Sequence, residues 1–284
     1  MKRVLVVLAA LALSLVTTVP ASAEADDSSQ YLALGDSVAF GYTPRAVTPP
    51  ANYLNAANFV GYPEMVARVL ELKDVNASCS GEATGGFISL TSSNDNGCLT
   101  GYRLYYPLHV AYKSSQLDFA TSFLHAHRHS TKLVTIDLGA NDLFHLGAIC
   151  GGTTNACFGA GLPGVIATMQ ANLAHIFAAL RATGYKGKIV ALTYYALVYD
   201  TAGVQGAALL NNPMINAAQP FKVRIASGFD AFQPFAAAHG GSSCAAGLLI
   251  ALPASAGGGC DVHPTPFGHA VLAAAVIHAL GEDD

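Results

Sequence analysis

The sequence predicts an α/β fold, a parallel sheet covered by helices on both faces. Three observations point to it. Short apolar runs alternate with longer stretches of helical apolar spacing. Two of those runs end in glycine turns that present polar side chains. No internal repeat or charged linker divides the chain, so one domain holds every element. In such sheets the ligand site lies outside the carboxyl ends of the strands.

Residues 31–34 are the first apolar run and end at Gly35-Asp36-Ser37. A proline-rich loop follows over 42–52. Residues 61–72 predict a helix with Tyr62, Met65, Val66, Val69 and Leu70 on one face. A short strand is expected over 75–79, and the Gly-, Ser- and Asn-rich stretch 80–113 reads as a long surface loop. A helix is predicted over 116–127 and a strand over 132–138, ending at Gly139-Ala140-Asn141-Asp142. The longest helix is predicted over 165–181, with strands over 187–193 and 223–226. A helix over 266–280 closes the chain, with Thr265 placed to cap it and Pro266 at its first position.

The amino terminus reads as an export signal. Lys2 and Arg3 precede an apolar run over residues 4–16, and Ala21-Ser22-Ala23 suits a signal peptidase. The run is short of the roughly 20 residues a membrane span needs. Cleavage after Ala23 would take 23 of 284 residues and leave 261, one domain over 24–284 with a large core. It would remove two cations and no acid, moving the net charge from −4 to −6. Nucleic-acid binding needs a basic patch, and this balance argues against one. Charged residues make up only 11% of the chain against roughly 25% in an average soluble domain. With no later stretch judged long and apolar enough to cross a bilayer, that composition reads as a compact secreted monomer with no stable membrane anchor.

Six cysteines fall in three sequential pairs: Cys79 and Cys98, Cys150 and Cys157, Cys244 and Cys260. Six thiols allow fifteen connectivities, and the sequence does not choose among them. Nearest-neighbour pairing is the simplest, each bond closing one short loop. Without a C-x₂-C spacing the set does not read as a metal site.

Three places carry chemistry. Ser37 follows a buried-looking strand directly; a serine hydroxyl becomes a nucleophile when a base takes its proton. Asn141 ends another strand and offers an N–H suited to a developing oxyanion, though it would also cap a helix well. His263, in Asp261-Val262-His263-Pro264, lies in a proline-restricted loop just before the last helix. Each alone has an ordinary structural reading as turn, cap or packed histidine.

Together with Gly81 in Cys79-Ser80-Gly81, these segments resemble the four blocks of the SGNH (GDSL-like) hydrolases, in order and across nearly the whole mature chain. The leader and the cysteine pairs look most like the secreted lipases and esterases of Streptomyces and related bacteria. The resemblance implies a three-layer α/β/α sandwich with about five parallel strands. It implies Ser37 as nucleophile and His263 as base. Its oxyanion hole would be built from the backbone N–H groups of Ser37 and Gly81 and the side chain of Asn141. The family's orienting aspartate normally stands three residues before the histidine, where this chain has Cys260. Asp261, two residues before, is the candidate third member; a backbone carbonyl is the alternative.

Other features are read as structural. His125, His127 and His129 end a helix without a carboxylate or cysteine beside them, and His269 lies inside the last helix. Tyr194 and Tyr195 are candidates for a substrate wall, and Asp36 and Asp142 are expected to brace their own turns. No metal or cofactor is expected. The substrate expected is a small-molecule or lipid ester, phospholipids included, with a carbohydrate acetyl ester as the rival and a catalytically inactive binding module as the third reading. The apolar segment 245–252 mildly favours the lipid ester.

Overall fold

The computed structural model describes residues 29–92 and 97–281, so the expected leader over 1–23 lies outside the described residues. In chain order the elements are β1 (Gln30–Gly35), α1 (Ser37–Phe40), α2 (Tyr62–Leu70), β2 (Lys73–Asn76), α3 (Thr84–Ile88), the single turn α4 (Arg103–Tyr105), α5 (Gln116–His127), β3 (Thr131–Asp137), α6 (Ala140–Cys150), α7 (Ala156–Ala182) and β4 (Lys188–Thr193). They continue as α8 (Thr201–Ala218), β5 (Arg224–Ser227), α9 (Gly228–Ala237), β6 (Leu249–Ala251), β7 (Cys260–Pro264) and α10 (Pro266–Gly281).

Strands β1 to β5 form one parallel sheet in the order β2-β1-β3-β4-β5. Side chains alternate across it because successive Cβ atoms point to opposite faces. Leu32, Leu34, Val134, Ile136, Ile189 and Ala191 pack on one face against α5, α7 and α8. Tyr31, Ala33, Leu133, Val190, Leu192 and Ala226 pack on the other against α2, α9 and α10. The result is the expected three-layer sandwich. A smaller aromatic cluster around Phe40, Tyr53, Phe59 and Tyr102 contains the Cys79–Cys98 disulfide. The other bonds are Cys150–Cys157 and Cys244–Cys260, so all three sequential pairs are joined. The antiparallel pair β6–β7 stands apart from the main sheet and delivers His263.

Several expectations need correction. On α2 the buried residues are Tyr62, Pro63, Val66 and Ala67, while Val69 is 62% exposed; the face is rotated because Pro63 and Ala67 pack inward. Strand β2 starts at Lys73, earlier than the apolar pattern indicates, since polar residues suffice on an edge strand. The stretch 80–113 is not all surface: Thr84 to Phe87 of α3 are buried. Helix α7 begins at Ala156, well before Pro163, with the Asn155 side chain accepting from the Phe158 N–H at 2.9 Å. At 27 residues α7 is long and apolar enough to cross a membrane by length and composition, contrary to expectation. Its Met169, Leu173, Ile176, Phe177 and Leu180 pack into the core. Leu248, Leu249 and Ile250 are buried too, so the large apolar side chains at the centre of segment 245–252 pack in the core and say nothing of a lipid.

Candidate active site

The β1–α1 turn is held from several sides. Gly35 is a position that needs glycine: its φ is +136°, and a Cβ there would stand 2.3 Å from the Asp137 carbonyl oxygen. The Gln116 side chain clamps it, accepting from the Gly35 N–H at 2.7 Å and donating to the Gly35 carbonyl at 3.1 Å. The Asp36 N–H donates to the Asp137 carbonyl at 3.2 Å. Asp36 then caps α1, Oδ1 accepting from the Val38 N–H at 2.9 Å, and Ser37 is the first residue of that helix.

The Asp36 carboxylate is also a meeting point. Its Oδ2 accepts from the Tyr194 hydroxyl at 2.6 Å and from Asn141 Nδ2 at 3.3 Å. Asp137 lies beside it, with its Oδ1 accepting from the Tyr62 hydroxyl at 3.0 Å. Burial raises the pKa of both carboxyls; the neighbouring Asp36 pushes Asp137 further up, while Tyr194, the Val38 N–H and Asp137 act to lower Asp36.

Asn141 starts the second turn of the site, at the amino end of α6. Its Nδ2 donates to the Glu82 carbonyl at 3.0 Å as well as to Asp36. Both partners are acceptors, which fixes the amide orientation. Asp142 also braces a neighbouring element, accepting from the Thr84 N–H at 2.9 Å and the Thr84 hydroxyl at 2.7 Å. Gly81 has φ +85°, and a Cβ there would meet the Gly97 backbone at 2.7 Å.

His263 sits on β7. Asp261 Oδ1 accepts from the His263 N–H at 3.0 Å and from the ring Nδ1. Burial pushes the Asp261 carboxyl up, yet the bonds from His263 outweigh it and hold the pKa below the ordinary value. Tyr195 donates to the Val262 carbonyl at 2.5 Å, and the Tyr42 ring stands 4.8 Å from the imidazole. His269 is packed in α10 and is no part of this arrangement.

Ser37, Asn141 and His263 border one cavity of about 550 Å³. Tyr194, Tyr195, Leu197 and Val198 form part of its wall, and Gly206, Ala207 and Leu210 of α8 another. Tyr194 and Tyr195 thus stand where a substrate wall was expected. Gly81 borders a second, more open groove with Tyr42 and Arg45. Among the described residues the one cluster of three potential metal ligands is Cys79, Glu82 and Cys98, and its two sulfurs are bonded to each other.

Gln116, Asp137, Tyr42 and the Glu82 carbonyl were not found from sequence. A carboxylate closing an otherwise apolar strand was the available signal for Asp137. A polar residue on the buried side of a helix was the signal for Gln116.

In fold the chain is similar to an extracellular lipase of Streptomyces rimosus, at 19% identity and a TM-score of 0.56, over 90% of this chain and all of that one. It is similar also to a catalytic mutant of an acetylxylan esterase from Geobacillus stearothermophilus, at 15% identity and a TM-score of 0.52, over 89% and 94% of the two chains. At these identities the likeness is one of fold. No curated protein matches it in sequence. Residues 33–271 match the model of the GDSL-like lipase/acylhydrolase family, a span running from within β1 into the first turns of α10 and holding every residue of the site just described, and the chain belongs to that family.

Proposed function

We propose that the protein is a secreted serine carboxylester hydrolase, a lipase or esterase for esters with an apolar acyl chain. The observation that carries this reading is a single cavity bounded both by Ser37, Asn141 and His263 and by a predominantly apolar wall. A hydrocarbon chain in that cavity gains by leaving water, and its carbonyl comes to rest beside Ser37.

The reaction follows from the groups present. His263 takes the Ser37 proton as Oγ bonds to the carbonyl carbon, and the C=O electron pair moves onto oxygen. The N–H groups of Ser37, Gly81 and Asn141 receive that charge; Asn141 releases its 3.3 Å bond to Asp36 to do so. The imidazolium returns the proton to the leaving alcohol as the C–O bond breaks, leaving the acyl group on Ser37. Water then repeats the sequence, with His263 as base, and frees the acid. Asp261 holds the imidazole tautomer through Nδ1. Neither a metal nor a cofactor takes part, and the monomer suffices. Three disulfides suit the oxidising space outside the cell and support export.

The same catalytic set would serve an acetylated carbohydrate. Rates over p-nitrophenyl esters from acetate to laurate, set beside acetylated xylan, separate the two. The apolar cavity predicts a maximum beyond acetate and little deacetylation of xylan. Acetate as the best ester, with xylan turned over, would favour the carbohydrate reading.

A further inference from the structure

Two adjacent residues just past the carboxyl end of β4 reach every part of the site. Tyr194 and Tyr195 are buried, and both line the cavity that holds Ser37, Asn141 and His263. Consecutive side chains leaving a strand point in different directions, so the two phenols diverge. The Tyr194 hydroxyl donates to Asp36 Oδ2 at 2.6 Å and accepts from the Ala140 N–H at 3.3 Å. The Tyr195 hydroxyl donates to the Val262 carbonyl at 2.5 Å. Asp36, Ala140 and Val262 are the residues immediately before Ser37, Asn141 and His263. Each group of the proposed chemistry is thus held, one residue upstream, by one of two consecutive phenols.

The tyrosines are themselves anchored. Asn211 of α8 closes both backbone bonds of Tyr194, Oδ1 accepting from its N–H at 2.9 Å and Nδ2 donating to its carbonyl at 2.8 Å. The Tyr195 ring stacks on Phe232 of α9, with centroids 4.3 Å apart and planes 15° from parallel. Strand β7, in contrast, stands outside the main sheet and pairs with β6. A phenol at Val262 therefore satisfies a carbonyl and ties a peripheral strand to the core.

We propose that Tyr194 and Tyr195 are a pair of positioning residues. Tyr194 sets the turns of Ser37 and Asn141, Tyr195 sets the strand of His263, and their shared backbone fixes the distance between nucleophile and base. The inference rests on the ester-hydrolase reading and adds two residues to its machinery.

The test uses p-nitrophenyl butyrate and ethyl butyrate, which share an acyl group and differ in the group that leaves. p-Nitrophenoxide departs without a proton, whereas ethoxide needs one from the imidazolium of His263. Tyr195→Phe keeps the ring and removes only the bond to Val262. It is expected to lower kcat/KM for ethyl butyrate roughly 10²-fold, borne by kcat, the scale on which a small misplacement acts. The loss with p-nitrophenyl butyrate should be roughly tenfold smaller, because only the base role of His263 is then at stake. Phe232→Leu, which loosens the ring and keeps the hydroxyl, should show the same preference more mildly, and it carries the test if Tyr195→Phe does not fold. Tyr194→Phe should lower both esters alike, since the oxyanion forms with either. Its effect should shrink in an Asn141→Ala background, because groups that act as a unit are not additive.

Equal losses on the two esters in Tyr195→Phe, or a loss borne by KM, would make Tyr195 a wall residue and overturn the proposal. Full additivity of Tyr194→Phe with Asn141→Ala would overturn it for Tyr194. In both cases the hydrolase reading stands. A wild type that turns over neither ester overturns that reading and the inference together.

Discussion

Asp261 and His263 are joined twice. One carboxylate oxygen, Oδ1, accepts from the His263 backbone N–H at 3.0 Å and from its ring Nδ1. A spacing of two residues along an extended strand makes this possible, because side chains at i and i+2 share a face. The carboxylate therefore fixes loop and imidazole together through Nδ1 and the backbone N–H.

Asp261→Asn is accordingly expected to lower kcat by roughly 10³ with KM little changed, since the tautomer and the imidazolium both lose their support. Steady-state kinetics on a p-nitrophenyl ester check this. A loss under tenfold would return the orienting role to a backbone carbonyl.

Asn141→Ala should lower kcat by roughly 10²–10³ at nearly constant KM, because its donor bonds to charge present in the transition state. If KM rises while kcat holds, the amide serves only to tie Glu82 and Asp36 together.

Gly206 borders the apolar cavity, and a Cβ there meets nothing within 4 Å. Gly203, three residues earlier, could not be altered, since its Cβ would stand 1.8 Å from the Val198 carbonyl oxygen. Gly206→Leu should therefore fill acyl space without strain. The ratio of kcat/KM for octanoate over acetate is expected to fall at least about tenfold, each lost methylene contact being worth about that much. An unchanged ratio would place the acyl chain elsewhere.

Ser37, Asn141 and His263 were legible because each stands at a strand end or helix start with a short turn signature, and such signals are local. The network that holds them is not local. Asp36 meets Tyr194 across 158 residues and Asn141 across 105, and Gln116 clamps Gly35 across 81. No spacing announces such pairs. Helix α8, which walls the cavity, went unread because small residues blur its stripe and Pro213 imitates a stop; α9 carries Pro234 in the same way. Helical prolines cost a backbone bond, but packing on the sheet outweighs it here.

His269 provides a test of the packing around the site. Its side chain is 3% exposed, Nδ1 has no hydrogen-bond partner, and burial, aided by the nearby His263, pushes its pKa down to about 3. Below the ordinary value of about 6.5 the unfolded chain binds a proton that the folded chain refuses, so stability falls with pH through that window. Denaturant unfolding at pH 7 and 4.5 should show a smaller loss in His269→Gln than in the wild type, by about 2 kcal/mol. Equal losses would mean that His269 is protonated in place.

The central claim is that Ser37 is a nucleophile activated by His263. Intact mass after treatment with phenylmethylsulfonyl fluoride tests it most directly. The wild type should gain one sulfonyl group, mapped by peptide analysis to Ser37. Ser37→Ala should gain none, and His263→Ala should be labelled far more slowly, each retaining the fold by circular dichroism. Unlabelled wild type, or equal labelling in Ser37→Ala, would contradict the account.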